Sequence, residues 1–257
     1  MECWAAQLGG CSNKQSREHY ISEGLWKNPI LRVRGFPWLS GEEKDLPLSS
    51  LTAKILCTEH NHRLSPLDCE AIKLFKWLDE IWRLQEVRRK LRRTKFWTVK
   101  RYTANGNLFE RWAAKTAIGL CCAFDKNLRW KQTGEPCDRP PIEILKATYG
   151  KTTFPAPMGL YLAVDVGDQH ELLDSISIEP LMIDGGLVGA ILGFKGVYFP
   201  IWFSAAPLNN FSIEIDRKKY GSGGVELMHH LRAWRFTIGG TLSQVLTFNW
   251  ADIETAP

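Results

Sequence analysis

Four residues with metal-binding side chains occur as two pairs in the first quarter of the chain. Cys3 and Cys11 lie near its start, and Cys57 and His60 follow with two residues between them. Zinc prefers four Cys or His ligands in a tetrahedron. The spacing therefore predicts a closed, structural zinc site that joins the two pairs.

An acidic residue, a histidine and an asparagine accompany this predicted site. Glu18 directly precedes His19, and Asn61 directly follows His60. A zinc ion bound by both pairs would bring Asn61 back beside His19. An imidazole can activate water, and carboxylate and amide oxygens can bind a divalent cation. These are the groups that a metal-dependent nuclease uses.

The order of these residues resembles that of the HNH endonucleases, also called His-Me finger or ββα-metal nucleases, and particularly their zinc-stabilised phage members. The resemblance covers residues 1–70. It implies that His19 is the general base and that Glu18 and Asn61 bind a catalytic Mg²⁺ or Mn²⁺. It also implies a structural Zn²⁺ held by the four residues of the two pairs: Cys3, Cys11, Cys57 and His60.

The activity implied by this resemblance is hydrolysis of phosphodiester bonds in nucleic acid, with double-stranded DNA as the favoured substrate. Small nucleases of this type joined to a second domain are similar to effectors of bacterial defence and mobile-element systems. The rival hypothesis is a catalytically inactive module, organised by zinc, that binds nucleic acid or protein.

Three positions depart from the usual family pattern. Seven residues separate Cys3 from Cys11, whereas paired metal-binding cysteines are usually about two residues apart. Gly9 and Gly10 can accommodate the wider loop through positive φ angles. Glu18 stands where Asp is commoner, and His60 replaces the usual fourth Cys.

A strongly basic stretch follows a predicted long helix. Apolar residues recur every three or four positions over residues 67–91, which indicates one face of an amphipathic helix. No acidic residue occurs between Val87 and Phe109. Such a stretch predicts phosphate contacts, and a solvated basic helix end is the alternative. The predicted nucleic-acid-binding residues are Arg88, Arg89, Arg92, Arg93, Lys95, Lys100 and Arg101.

The pattern as a whole predicts an α+β protein in three parts. Residues 1–70 form the zinc-stabilised nuclease segment, with strands at 30–34 and 46–48 before a helix that begins near Asn61 or at Ser65-Pro66. Residues 71–150 are a helical, basic connection with further helices at 108–124 and 142–149. Residues 151–257 form a mainly antiparallel β-rich domain. Its predicted strands are 159–166, 175–183, 187–192, 196–204, 211–215, 234–238 and 245–250.

Composition limits the class of protein. With 44% hydrophobic and 24% charged residues, the chain has the composition of a globular protein and not of a disordered or fibrous one. No apolar run reaches membrane-spanning length, and the start lacks a signal-peptide pattern. Seven cysteines, an odd number, disfavour a fully paired disulfide framework. We therefore expect a cytoplasmic protein without a membrane partner, whose C-terminal part recognises a substrate feature, a partner subunit or a regulatory ligand.

Overall fold

The computed structural model describes residues 3–36, 39, 41–90, 98–124, 128–132, 137–163, 174–195, 197–206, 227–238 and 241–250. Within these ranges the helices are α1 (Thr58–Lys90), α2 (Gly106–Phe124) and α3 (Ile142–Thr148). The strands are β1 (Gln15–His19), β2 (Ile30–Arg34), β3 (Lys44–Pro47), β4 (Thr52–Cys57), β5 (Lys100–Asn105), β6 (Gly159–Ala163), β7 (Ser175–Ile183), β8 (Gly186–Phe194), β9 (Val197–Trp202), β10 (Leu227–His229), β11 (Ala233–Ile238) and β12 (Thr241–Asn249).

These strands form three sheets. The largest has the order β10-β6-β9-β8-β7-β2-β3, and it is antiparallel except where β2 pairs with β7. A smaller sheet has the order β11-β12-β5, with β5 parallel to β12. The third is the antiparallel pair β1-β4. The predicted α+β class with a largely antiparallel sheet is confirmed.

The pair β1-β4 leads directly into α1. Gln15 lies opposite Cys57 in this pair, and the next residue, Thr58, begins the helix. The sequence pattern had assigned this place to the strands at 30–34 and 46–48, and that assignment was wrong. Those two strands do pair, as β2 and β3, but at the edge of the seven-stranded sheet. The pattern missed β1 because its one buried side chain is a carboxylate, that of Glu18.

Helix α1 begins at Thr58, near the predicted start at Asn61 and well before the predicted start at Ser65-Pro66. Pro66 lies inside the helix and not at its first turn. The chain before β1 supports the actual start: the Thr58 N–H donates to the Lys14 carbonyl oxygen at 2.9 Å, and the Glu59 N–H donates to Ser12 Oγ at 3.4 Å. These bonds satisfy amide groups that a helix start leaves without partners.

Aromatic side chains join the two long helices to the seven-stranded sheet. Phe75 of α1 contacts Phe109 and Trp112 of α2, with ring centroids 6.2 and 5.6 Å apart. The same Phe75 ring contacts Phe194 of β8 and Phe199 of β9. All five rings are buried. Residues far apart in sequence thus share one core that fixes α1 and α2 relative to the sheet.

The other helices and strands agree with the sequence pattern only in part. Helices α2 and α3 and the hairpin β7-β8 were predicted, and the turn of that hairpin has positive φ angles at Asp184 and Gly185. Strand β5 was not predicted. The predicted strand at 211–215 lies outside the described residues. The division into three parts remains a prediction, although strands from its first and last parts share the seven-stranded sheet. No helix in the described ranges combines the length and apolar character needed to span a membrane.

Candidate functional site

The first cysteine pair lies on a loop that packs on β4. The Trp4 N–H donates to the Ile55 carbonyl oxygen at 3.0 Å. A single 3-10 turn, Ala6–Leu8, occupies the middle of the loop. Gly9 and Gly10 then return the chain to Cys11 with φ angles of 74° and 71°. The predicted positive φ angles are confirmed, and they allow seven residues to separate the two cysteines.

The second pair lies at the junction between β4 and α1. Cys57 is the last residue of the strand, and His60 lies in the first turn of the helix. The His60 backbone N–H points at Cys57 Sγ at 3.4 Å. Tyr149, just after α3, packs its ring edge-on against the imidazole at 5.5 Å and donates its hydroxyl to the His60 carbonyl oxygen at 3.2 Å.

All four residues converge on one point. The His60 Nδ1 atom lies 3.4 Å from Cys3 Sγ, 3.5 Å from Cys11 Sγ and 3.2 Å from Cys57 Sγ. A neutral ring nitrogen carries one hydrogen or one lone pair, so it cannot bond three sulfurs at once. In a tetrahedral zinc site with ordinary bond lengths, nitrogen and sulfur ligands are about 3.5 Å apart. The predicted cluster is confirmed, and it can hold a zinc ion.

The thiols of the cluster differ in their surroundings. Burial raises the pKa of Cys3 to about 12. Burial also opposes ionisation of Cys57, but hydrogen bonds from the His60 amide and from Ser12 outweigh it and lower the pKa of Cys57 to about 6. Cys57 therefore favours the thiolate, which is the metal-binding form, at neutral pH. All seven cysteines lie in the described residues, and none forms a disulfide bond.

Asn61 contacts Glu18 across the junction between α1 and β1. One end of its side-chain amide lies 3.0 Å from Glu18 Oε1 and 3.2 Å from Oε2, and the other end lies 2.8 Å from Ser16 Oγ. With nitrogen toward Glu18, the amide donates to the carboxylate and its oxygen accepts from Ser16. With oxygen toward Glu18, two acceptor groups face each other, an arrangement that a bound cation would relieve. The amide can therefore serve either a metal-free or a metal-bound site.

A buried lysine also contacts Glu18. Lys115 of α2 has Nζ 3.0 Å from Glu18 Oε1, and the same ammonium lies 2.8 and 3.0 Å from the two carboxylate oxygens of Asp68. Burial acts to lower the pKa of Lys115, but the two carboxylates outweigh it and raise that pKa. Ser22 Oγ donates to Asp68 Oδ1 at 2.5 Å and accepts from Trp112 Nε1 at 3.1 Å. The carboxylates of Glu18 and Asp68 thus both accept hydrogen bonds from neighbouring side chains.

His19 occupies a different position from Glu18. Its side chain is 31% exposed, whereas that of Glu18 is 6% exposed. Consecutive strand residues point to opposite faces, so Glu18 enters the protein interior while His19 reaches solvent. His19 Nδ1 lies 4.0 Å from a Glu23 carboxylate oxygen. The structure brings Asn61 to Glu18, the immediate neighbour of His19, and the catalytic roles of all three remain predictions.

The basic segment is described in part. Arg92, Arg93 and Lys95 lie outside the described residues. Arg89 and Arg101 are exposed. Arg88 is buried and donates from Nη2 to the Thr98 carbonyl oxygen at 3.4 Å.

Acidic residues from the preceding turns of α1 reduce the positive charge of this segment. Lys90 Nζ donates to Glu86 Oε1 at 2.7 Å. Lys100 forms an ion pair with Glu80, whose pKa is lowered chiefly by this hydrogen bond. Charge counting along the sequence overlooked both pairs, because the acids precede the basic stretch. The nucleic-acid-binding role of the segment remains a prediction.

A second cluster was not predicted. Glu110 of α2 accepts from the Leu160 N–H at 2.9 Å and from His230 Nε2 at 2.8 Å, and the rings of His229 and His230 stack at 3.9 Å. His229 ends β10, and His230 follows in a turn with φ 50°. These three residues can also group around a metal ion, but His229 Nε2 already donates to the Met158 carbonyl oxygen at 2.9 Å.

Lys115 and Asp68 were likewise missed, although one signal for Lys115 was present. It is the only charged residue between Arg111 and Asp125, inside a run that is otherwise apolar or small. A lone charge on a buried helix requires a partner, but the sequence does not identify that partner.

Comparison with known proteins gives no relative from which roles can be transferred. No family model, no curated protein and no solved structure matches this chain.

Proposed function

We propose that this chain is a zinc-stabilised, metal-dependent nuclease of HNH type that hydrolyses phosphodiester bonds in nucleic acid, with double-stranded DNA as the favoured substrate. The observation that carries the proposal is the Asn61–Glu18 contact, which lies beside the Cys and His cluster on two strands and a helix. The ββα assignment of this segment is part of the same proposal.

The proposed structural zinc is supported by the kinds of side chain that form the Cys and His cluster. Three thiols and one imidazole nitrogen meet with nitrogen-to-sulfur distances of 3.2 to 3.5 Å. A closed set of four such ligands is typical of structural zinc. Bound zinc would tie the Cys3 loop to the start of α1. Asn61 follows His60 directly, so the same tie fixes the position of the Asn61 side chain.

The proposed catalytic metal site is supported by the distance between the side-chain oxygens of Glu18 and Asn61. Adjacent oxygen ligands of an octahedral magnesium ion lie about 2.9 Å apart, given metal–oxygen distances of about 2.1 Å. With its oxygen toward Glu18, the Asn61 amide is 3.0 Å from Oε1. Glu18 and Asn61 therefore fit two ligand positions. When bound there, a divalent cation would neutralise charge on the scissile phosphate and the leaving oxygen.

His19 supplies the proton transfer. Its neutral imidazole takes a proton from water as that water attacks phosphorus, and the bond to the leaving oxygen breaks. Exposure of His19 lets water and a phosphodiester reach the ring, and a Glu23 carboxylate oxygen lies 4.0 Å from His19 Nδ1. Exposed Arg89 and Arg101 provide sequence-independent phosphate contacts.

One observation favours a second candidate function. Glu18 is buried and already forms an ion pair with Lys115 at 3.0 Å, so the site is electrostatically satisfied without a divalent ion. A zinc-organised module that binds nucleic acid or protein without cleaving it would have the same arrangement. Binding without cleavage is the behaviour that separates this candidate from the nuclease.

The test is cleavage of supercoiled plasmid by purified protein with magnesium, with manganese or with chelator. The nuclease proposal expects nicked or linear product with a divalent ion and intact plasmid with chelator. Intact plasmid in all three reactions, together with retention of the plasmid in a gel-shift experiment, would favour the binding module.

A further inference from the structure

Lys115 is a buried charged group beside the Asn61–Glu18 contact. Its side chain is 6% exposed, and its ammonium contacts Glu18 and Asp68 at 3.0 Å or less. Two carboxylates and one ammonium leave a single negative charge in this buried group. The Glu18 carboxylate therefore touches two partners, Lys115 and Asn61, and the second is the proposed ligand of a divalent ion.

We propose that Lys115 is the resident cation of this site, which holds Glu18 in its ligand position in the metal-free chain and keeps the affinity for divalent ions low. This inference rests on the proposed function, because it takes Glu18 and Asn61 as the metal ligands. Magnesium sites that act on phosphates use few protein carboxylates and receive further ligands from the substrate. Low intrinsic affinity suits a site of that kind.

The positive charge of Lys115 opposes the binding of a divalent ion at this site. A divalent ion beside Glu18 would lie a few ångström from the Lys115 ammonium. A single and a double positive charge about 5 Å apart repel enough to weaken binding roughly tenfold even at the dielectric constant of water. The effect is larger in a buried site, where water screens the charges less. Removing the lysine charge should thus tighten metal binding.

Lys115 also organises the metal-free chain. Without its ammonium, the negative charges of buried Glu18 and partly exposed Asp68 would repel each other with no cation between them. The Ser22 hydroxyl, which accepts from the Trp112 indole, donates a further hydrogen bond to Asp68 Oδ1. Lys115 therefore places a positive charge against both acids and holds them in position, and no metal is needed to assemble the site.

Lys195 provides a matched control within the same chain. Its side chain is 4% exposed, and its ammonium lies 2.8 and 2.9 Å from the two Asp79 carboxylate oxygens. It is as buried as Lys115, but it does not contact Glu18 or Asn61. A general effect of losing a buried lysine would appear in both variants, whereas a metal-specific effect would appear in Lys115 variants alone.

The experiment compares wild type, Lys115→Met and Lys195→Met in thermal unfolding with no divalent ion other than the bound zinc and with increasing MnCl₂, and measures Mn²⁺ affinity by electron paramagnetic resonance. Each protein is first loaded with zinc, so that the change reports the second site. We expect Lys115→Met to unfold at lower temperature without Mn²⁺, to recover most of the loss with Mn²⁺, and to bind Mn²⁺ about tenfold or more tightly than wild type. Lys195→Met should lose stability without recovery.

Two results would overturn the proposal. Equal Mn²⁺ affinity in wild type and Lys115→Met would remove the role of Lys115 and leave the metal site standing. No Mn²⁺ binding to either protein would overturn the metal site as well, and with it the nuclease mechanism. If Lys115→Met does not fold, Lys115→Met combined with Asp68→Asn leaves Glu18 as the single acid, and the same gain in Mn²⁺ affinity is expected there.

Discussion

The side-chain amide of Asn61 lies 3.0 Å from Oε1 of Glu18, although 42 intervening residues separate the two in the chain. Three local features produce this contact: the cluster at Cys57 and His60, the start of α1 at Thr58, and the pairing of β1 with β4. The contact links a site that can hold zinc to the carboxylate that we propose as a ligand of a second cation.

We expect one zinc ion per chain, and we expect Cys57→Ser to lose it. Structural zinc contributes on the order of 10 kcal/mol to the folding of small zinc domains, so the loop around Cys3 and the start of α1 should lose their order. Metal analysis and hydrogen exchange measure the two effects. Cys69→Ser is the control, since Cys69 is exposed on α1 and should retain zinc. Folded wild-type protein without zinc would contradict this prediction.

The junction of β2 with the seven-stranded sheet should depend on Gly35. Its φ is 78°, and a Cβ added there would overlap the Ile178 carbonyl oxygen of β7. Gly41 has a similar φ of 87°, but a Cβ added there would meet no atom within 4 Å. We expect Gly41→Ala to cost about 1–2 kcal/mol and Gly35→Ala roughly 3 kcal/mol or more. Urea unfolding measures the loss in free energy of unfolding for each variant. Equal losses would show that the β2-β7 pairing accommodates the added Cβ at little cost.

The basic segment should bind phosphates without sequence preference. We expect the pair Arg89→Glu and Arg101→Glu to weaken binding to all DNA sequences alike and to reduce the salt slope by about 1 for each phosphate interaction removed. Fluorescence anisotropy over a range of salt concentrations gives that slope. Lys44→Glu, an exposed change on β3, is the matched control. If the double variant and wild type have the same salt slope, the DNA-binding surface lies elsewhere on the protein.

Stability should fall in mild acid through His229. Burial lowers the pKa of His229, and the neighbouring His230 acts in the same direction. Below about pH 6.5 the unfolded chain protonates this histidine while the folded chain does not. The folded state therefore loses stability as the pH falls from about 6.5 toward the lowered pKa. His229→Gln should show a smaller decline between pH 7.5 and pH 5.5 in chemical unfolding, and a decline as steep as that of wild type would assign the effect to other groups.

The sequence predicted the parts of the site that depend on local spacing. Cys57 and His60 are three positions apart at the start of a helix, so their side chains meet without reference to the rest of the fold. Gly9 and Gly10 indicated the turn that returns the chain to Cys11. Lys115 could not be assigned a partner, because its ammonium contacts Glu18 and Asp68 from a helix 97 and 47 positions later in the chain.

Two strands show why the rest of the fold was harder to predict from the sequence. Strand β1 buries Glu18 and no apolar side chain, so it lacks the alternation that identifies a strand. Strand β5 begins with exposed Lys100 and Arg101 and pairs in parallel with β12, from the other end of the chain. Its formation depends on a partner that no local pattern specifies. The predicted helix at 108–124, by contrast, formed as α2, and its Phe109 and Trp112 rings are buried in the core.

The most direct test of the nuclease account is the rate at which purified protein cleaves a labelled DNA duplex, measured for wild type, His19→Ala and His62→Ala with magnesium. His62 is an exposed histidine on α1 beside Asn61, so it is the nearest alternative base. We predict that His19→Ala lowers turnover by about 10²-fold to 10⁴-fold, the usual effect of losing a general base, with DNA affinity and zinc content unchanged, and that His62→Ala retains activity. Equal cleavage by wild type and His19→Ala would contradict the account.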